Sequence, residues 1–249
     1  MKNFKDKIWL LGETPGSHHN VECYKKGIIS DESLDAAVKR VLETQEKTLR
    51  LAQDAEITQD DLEKLHAINT ECIYARADAD VSLALDKNAK HYFIVMTDND
   101  WRDGGGADVA TFFGNWYRPA AIREKLRELF PNSDVVMMPQ YPSGSLNCKL
   151  MTDSVAYDDI VFITYQEVQA YIGKECLTSR VLGMAECFQK TGRIAAVVHF
   201  GNPYVLEDMP HVPRVIIGAS DSECVLASME VLAGEREAKG KLVYDVNFQ

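Results

Sequence analysis

The sequence predicts an α/β protein: a doubly wound, mainly parallel sheet of five or six strands with helices on both faces, preceded by a helical lead-in. Three observations predict it. Beyond residue 90 come short apolar runs of strand length: His91–Thr97 (HYFIVMT), Val135–Pro139 (VVMMP), Ile160–Thr164 (IVFIT), Ile194–His199 (IAAVVH) and Val215–Gly218. The runs are nearly continuous rather than alternating, as strands covered on both faces must be. Helical patterns separate most of them, and strands that alternate with helices build a parallel sheet.

The elements follow in order. MKNFKDKIWLLGETPG holds only a short apolar run, too brief for a signal-peptide core. Ser30 is placed to cap a helix through DESLDAAVKRVLETQEKTLRLA, where Leu34, Val38, Val41 and Leu42 recur at helical spacing. Thr58 and Asp61 form a cap signature for a second helix, with Leu62, Leu65, Ile68 and Cys72 along one face. AAIREKLRELF predicts a helix before the second apolar run and LTSRVLGMAECFQKTG one before the fourth. SECVLASMEVLAG follows the fifth, with Ser220 and Glu223 as its capping box. Residues 1–84 read as lead-in and linker helices, and residues 85–249 as the α/β sandwich. Ile160–Thr164 and Ile194–His199 are almost wholly apolar and belong near the sheet's centre.

Composition narrows the function. A formal net charge of -11 argues against nucleic acid as a partner, because phosphates require a basic footprint. No segment approaches the length of a membrane span. The six cysteines form no CxxC and no zinc-like pairing with His, which predicts reduced thiols and a cytoplasmic setting.

In a doubly wound sheet, ligands sit beyond the carboxyl ends of the strands. The informative segments are therefore 98–106, 140–145, 165–173 and 201–204. DNDWRDGGGAD offers glycine N–H groups for a phosphate and three aspartates, Asp98, Asp100 and Asp103, for a cation. It is neither GxGxxG nor a P-loop and lacks the rest of an EF-hand loop, so no cofactor and no metal are expected. Adjacent His18 and His19 rarely face one ion. No serine stands in a GxSxG elbow. His199 ends a buried strand and reads as a structural histidine. In Gly201-Asn202-Pro203 the glycine releases the backbone and the proline fixes φ for a short helix, so the turn reads as structural.

Four stretches, in order, carry a family resemblance. Lys26-Gly27-Ile28-Ile29-Ser30 through Leu42 resembles the helix that joins the barrel of glycoside hydrolase family 3 enzymes to their second domain. Ser82–Asn88 (SLALDKN) resembles the strand-like segment that opens that domain, and Val168–Gly173 (VQAYIG) the loop after its third strand. Phe200–Leu206 (FGNPYVL), with Ala219–Glu223 and Leu232–Leu242, resembles the closing series. The likeness leans to the β-N-acetylhexosaminidase branch and covers most of the chain from about residue 21. There are departures: Gly240-Lys241-Leu242 leads to Val243-Tyr244 where the family has Pro-Val, and Leu-Pro-Leu is missing after Asn88.

The resemblance implies a role without chemistry of its own. The family's nucleophilic Asp and His-containing acid/base loop belong to a (β/α)₈ barrel of roughly 200 residues. Neither motif occurs here; Ile8–Gly12 stands where the barrel's last strand would end. The expected function is thus the non-catalytic C-terminal domain of a retaining glycosidase of β-N-acetylhexosaminidase or β-glucosidase type, in carbohydrate metabolism. Its partners would be the missing catalytic barrel and, in the whole enzyme, a carbohydrate. No catalytic residue is expected. Asp98, Asn99, Arg102, Tyr165, Tyr171 and Asn202 are the rim residues that would border the sugar. The alternative is a standalone flavodoxin-like module that binds a sugar, a cation or a partner. A domain parted from its barrel should also show an apolar face, with Trp9, Leu10, Leu11, Trp101, Phe112, Phe113, Trp116 and Tyr117 as contributors, and a homodimer would be its other cover.

Overall fold

The structure is a computed structural model that describes residues 22–54, 56–97, 117–166, 177–219 and 222–242. The chain divides into two compact units, Met1–Thr58 and Gln59–Gln249. The first holds α1 (Asp31–Asp54), which begins as predicted: Ser30 Oγ accepts the Ser33 N–H at 3.2 Å. Its apolar positions Val41, Leu42 and Leu49 are exposed.

The second unit runs α2 (Gln59–Glu71), β1 (Tyr74–Ala77), β2 (His91–Thr97), α3 (Pro119–Leu129), β3 (Asp134–Pro139), α4 (Gly144–Asp153), β4 (Asp159–Gln166), α5 (Ser179–Lys190), β5 (Ile194–Gly201), β6 (Arg214–Gly218) and α6 (Ser222–Leu232). The six strands form one sheet in the order β1-β6-β5-β4-β2-β3. All pairs are parallel except β1 with β6, which is antiparallel. The doubly wound fold is therefore present, with β4 and β5 central as their unbroken apolar runs require.

Burial explains the arrangement. Every residue of β2 is buried, and in β4 and β5 only Asp159 and Gly201 are not. Alternate side chains go to opposite faces. On one face Phe93, Val95, Val161, Ile163, Val198 and Ile216 pack with Ile122 and Leu126 of α3 and with Val225 and Met229 of α6. On the other, Ile94, Met96, Phe162, Val197 and Val215 pack with Val181, Met184 and Phe188 of α5 and Leu150 of α4. At about 1.5–3 kcal/mol for each large apolar side chain removed from water, these two layers supply the main drive for folding. Gly218 lets α6 approach β6: a Cβ there would lie 2.6 Å from Ser228 Oγ and 2.7 Å from the Phe200 ring.

Two elements differ from the sequence expectation. Ser82–Asn88 is not a strand. It is a connection, fixed where Leu85, buried, donates its N–H to Leu232 O at 2.9 Å and where Asp86 Oδ1 accepts the Asn88 N–H. The strand before β2 lies earlier, at Tyr74–Ala77, half-buried along the sheet edge. The sheet thus begins before residue 85, within a unit that opens at Gln59. Helix α4 has no counterpart in the sequence expectation; Ser143 caps it, its Oγ accepting the Leu146 N–H at 3.1 Å.

Candidate functional site

The parallel strands run β3-β2-β4-β5-β6 across the sheet. From β2 the chain moves to the β3 edge, then returns to place β4 on the other side of β2. That reversal between β2 and β4 is the switch point beyond which doubly wound sheets bind ligands.

The described residues at the carboxyl ends form a dense polar layer. Gln140 follows β3 and Gln166 ends β4; both are buried, and Gln140 Nε2 donates to Gln166 Oε1. That bond ties together the two strands flanking β2. His199 of β5 is fully buried. Its Nε2–H donates to Asn202 O at 3.0 Å, and its Nδ1 lies 2.8 Å from Thr164 Oγ1, whose hydroxyl is the donor. Both ring nitrogens are satisfied by the neutral imidazole. Burial pushes the ring's pKa down to about 4, with the bond to Asn202 opposing only in part. His199 is a structural residue, as its place at the end of an apolar strand suggests.

The Gly201-Asn202-Pro203 turn is structural as well. Gly201 has φ of 102°, and a Cβ there would meet Gln166 O at 2.2 Å. Glycine is required twice over, by conformation and by close approach. Asn202 Oδ1 accepts the Tyr204 N–H at 3.0 Å, and Pro203 opens a 3-10 turn over Pro203–Asp208.

Of the six rim residues, Asp98, Asn99, Arg102 and Tyr171 lie outside the described residues. Tyr165 is buried, its ring stacked on Tyr117 at 5.1 Å, and Asn202 is half-buried in the turn. Of the expected apolar face, Trp9, Leu10, Leu11, Trp101, Phe112, Phe113 and Trp116 also fall outside the description. Tyr117 corrects that expectation: it is 2% exposed, and its hydroxyl donates to Met96 O at 2.9 Å. A core position that offers the hydroxyl an acceptor suits tyrosine better than an open surface. An apolar stripe does reach solvent elsewhere in this unit, on α2, where Leu62, Leu65 and Ile68 are exposed and no residue is buried.

Thr97 Oγ1 is buried and has no hydrogen-bond partner among the described residues. Among those residues no group of three or more His, Cys, Asp or Glu could hold a metal, and no helix is long and apolar enough to cross a membrane. Cys72, Cys148 and Cys187 are exposed free thiols, whereas buried Cys224 Sγ accepts the Ala219 N–H at 3.1 Å. Sequence reasoning singles out His199 but not its acceptor Asn202 O or the Gln140–Gln166 bridge. The Gln140–Gln166 bridge joins residues 26 apart in sequence and has no signal in local spacing.

No protein-family model matches the chain, and no curated protein matches it. Solved structures do. A glycoside hydrolase family 3 β-N-acetylglucosaminidase from Paenibacillus sp. superposes with a TM-score of 0.58 at 17% identity, over 88% of this chain and 40% of its own. The fold is that of part of a family 3 glycoside hydrolase. A β-glucoside phosphorylase, BglX, is similar at a TM-score of 0.57 and 20% identity, again over 88% of this chain and 40% of its own. A β-glucosidase from Listeria innocua in complex with glucose gives 0.52 at 18%, over 89% and 33%. The chain spans two fifths or less of the length of these three neighbours.

Proposed function

We propose that this chain is the non-catalytic sandwich domain of a family 3-type glycosidase, a partner that buttresses a catalytic (β/α)₈ barrel and borders its sugar site. The observation that carries this reading is the asymmetry of coverage: the fold accounts for 88% of this chain but for at most 40% of the neighbours. The polar layer at the strand ends supports it. His199 is neutral and saturated, and Gln140 and Gln166 are bonded to each other, so the described layer is built for rigidity. In the whole enzyme the substrate would be a β-linked N-acetylhexosamine or glucose. Reaction with retention would pass through a glycosyl intermediate on a barrel carboxylate. Asn202 and the strand-end residues Asp98, Asn99, Arg102, Tyr165 and Tyr171 would border or support the sugar from this side.

The test is direct. The purified chain should give no turnover of aryl β-N-acetylglucosaminides or aryl β-glucosides. Turnover that follows the protein through purification and vanishes when one of its own carboxylates is replaced would overturn the proposal. Reading the source gene upstream of Met1 supplies the second arm: a continuous frame encoding a barrel is expected.

A further inference from the structure

His91 opens β2 at the amino end of the sheet, far along the strands from the layer just described. It is 1% exposed. Its two ring nitrogens face two acceptors. Nδ1 lies 2.5 Å from Asp159 Oδ1, at the start of β4, and Nε2 lies 2.8 Å from Asp86 O, in the connection between β1 and β2. A neutral imidazole carries one N–H and can serve only one of them; the imidazolium serves both. The rings of Phe93 and Phe130 stand at its edges, 5.7 and 5.4 Å away, and enclose it without offering charge.

We propose that His91 is a pH-sensitive latch, closed while its ring is charged, that fastens the connection between β1 and β2 to the start of β4. Loss of one proton to solvent leaves a nitrogen lone pair against either the Asp159 carboxylate or the Asp86 carbonyl, and that contact turns from attractive to repulsive. The charged groups that face the ring are Asp159 beside it and Asp158 just before β4, whose carboxylates favour the charged form, as does the backbone carbonyl of Asp86. Asp158 Oδ2 also accepts the Lys90 N–H at 2.9 Å, and Asp86 Oδ1 the Asn88 N–H at 2.9 Å, so both are held in place. Burial opposes the charge, the Asp159 hydrogen bond and charge favour it, and the ring's pKa is raised on balance.

The sign follows. A histidine whose folded pKa is raised contributes fully below its unfolded value of about 6.5, and the contribution is lost as pH rises through the folded value. The latch is therefore closed below about pH 6.5 and opens as pH rises through the ring's raised folded value. The connection has other fasteners: Arg214 Nε donates to Ser82 O at 2.6 Å, Leu85 N–H to Leu232 O, and Lys87 pairs with Glu235 at 2.5 Å.

The experiment is amide hydrogen exchange of the full chain across pH 5.5–9.5, corrected for intrinsic exchange, with the His91 ring followed by NMR. Residues 82–90 should lose protection as the ring deprotonates, by about tenfold for each pH unit past its midpoint until it reaches the level set by the remaining fasteners. Residues 160–164 of central β4 should show no step. In Asp159→Asn the side-chain amide can donate to Nδ1 while Nε2–H still serves Asp86 O, so the neutral ring is satisfied and the step should vanish. His91→Gln should lose the step with protection low throughout. A ring midpoint at or below about 6.5, no step in 82–90, or the same step in Asp159→Asn would each overturn the latch.

Discussion

His91 and His199 are the same side chain at opposite ends of the same sheet, both buried, yet their pKa values are shifted in opposite directions. His199 faces one donor and one acceptor, Thr164 Oγ1 and Asn202 O, and is neutral. His91 faces two acceptors, one of them a carboxylate, and its pKa is raised. Burial disfavours the charge at both sites. The identity of the partners decides whether it survives. The carboxyl end of the sheet is thus locked by neutral bonds, while the amino end is fastened by a bond that pH can withdraw.

The comparison can be broken from the acid side. His199 has a folded pKa of about 4 against about 6.5 unfolded, so the unfolded chain binds the extra proton first and stability falls as pH drops through that window. The difference, about 2.5 pH units, corresponds to ~3 kcal/mol. Urea denaturation at a series of pH values should show this slope, and His199→Phe should lack it. A wild-type curve flat over that range would mean the ring is not held neutral. Next in size is Thr164→Val, which takes the donor from Nδ1 while keeping the shape. A loss of about 1–2 kcal/mol is expected, and a neutral result would show that the Thr164 bond is incidental. Smaller still is the helix-to-helix pair on the first face, where Glu230 lies 3.0 Å from Lys125 and 2.9 Å from Arg236. Burial raises the Glu230 pKa, but the Lys125 and Arg236 hydrogen bonds outweigh it and hold the carboxyl below its usual range. Its contribution is present above the ordinary carboxylate value and lost as pH falls through the folded one. Because the pair is partly exposed, Lys125→Met should cost less than about 1 kcal/mol and the loss should shrink in salt. Smallest is Leu65→Glu on the exposed stripe of α2, expected within about 0.5 kcal/mol in the isolated chain. A large loss there would mean that the stripe is covered in solution.

The strands were legible because burial on both faces leaves a mark in composition: HYFIVMT and IAAVVH have no polar interruption to hide them. β1 was not legible, because YARA is a four-residue edge strand, half-buried and interrupted by an arginine. SLALDKN, strand-like only by family resemblance, is instead a connection that Leu85 ties to Leu232 of α6. Ser30 and the Gly201-Asn202-Pro203 turn could be read because capping and backbone geometry are local. The Gln140–Gln166 bridge and the Asp159 partner of His91 could not, since residues far apart in sequence meet there only after the sheet has formed. For the rim residues, spacing alone says nothing about which side chains turn inward, and Tyr165 does.

The antiparallel pairing of β1 with β6 joins the first strand of the sheet to the last, with Tyr74 opposite Ile217. On the ribosome, then, β1 emerges well before its partner exists. It must wait, unpaired, while the four intervening strands are made. Closing so long a loop is entropically slow, and non-local pairings of this kind set the pace of folding. The edge is therefore the last seam to shut as the polypeptide leaves the exit tunnel, and a chaperone with affinity for bare strands would find its substrate there first.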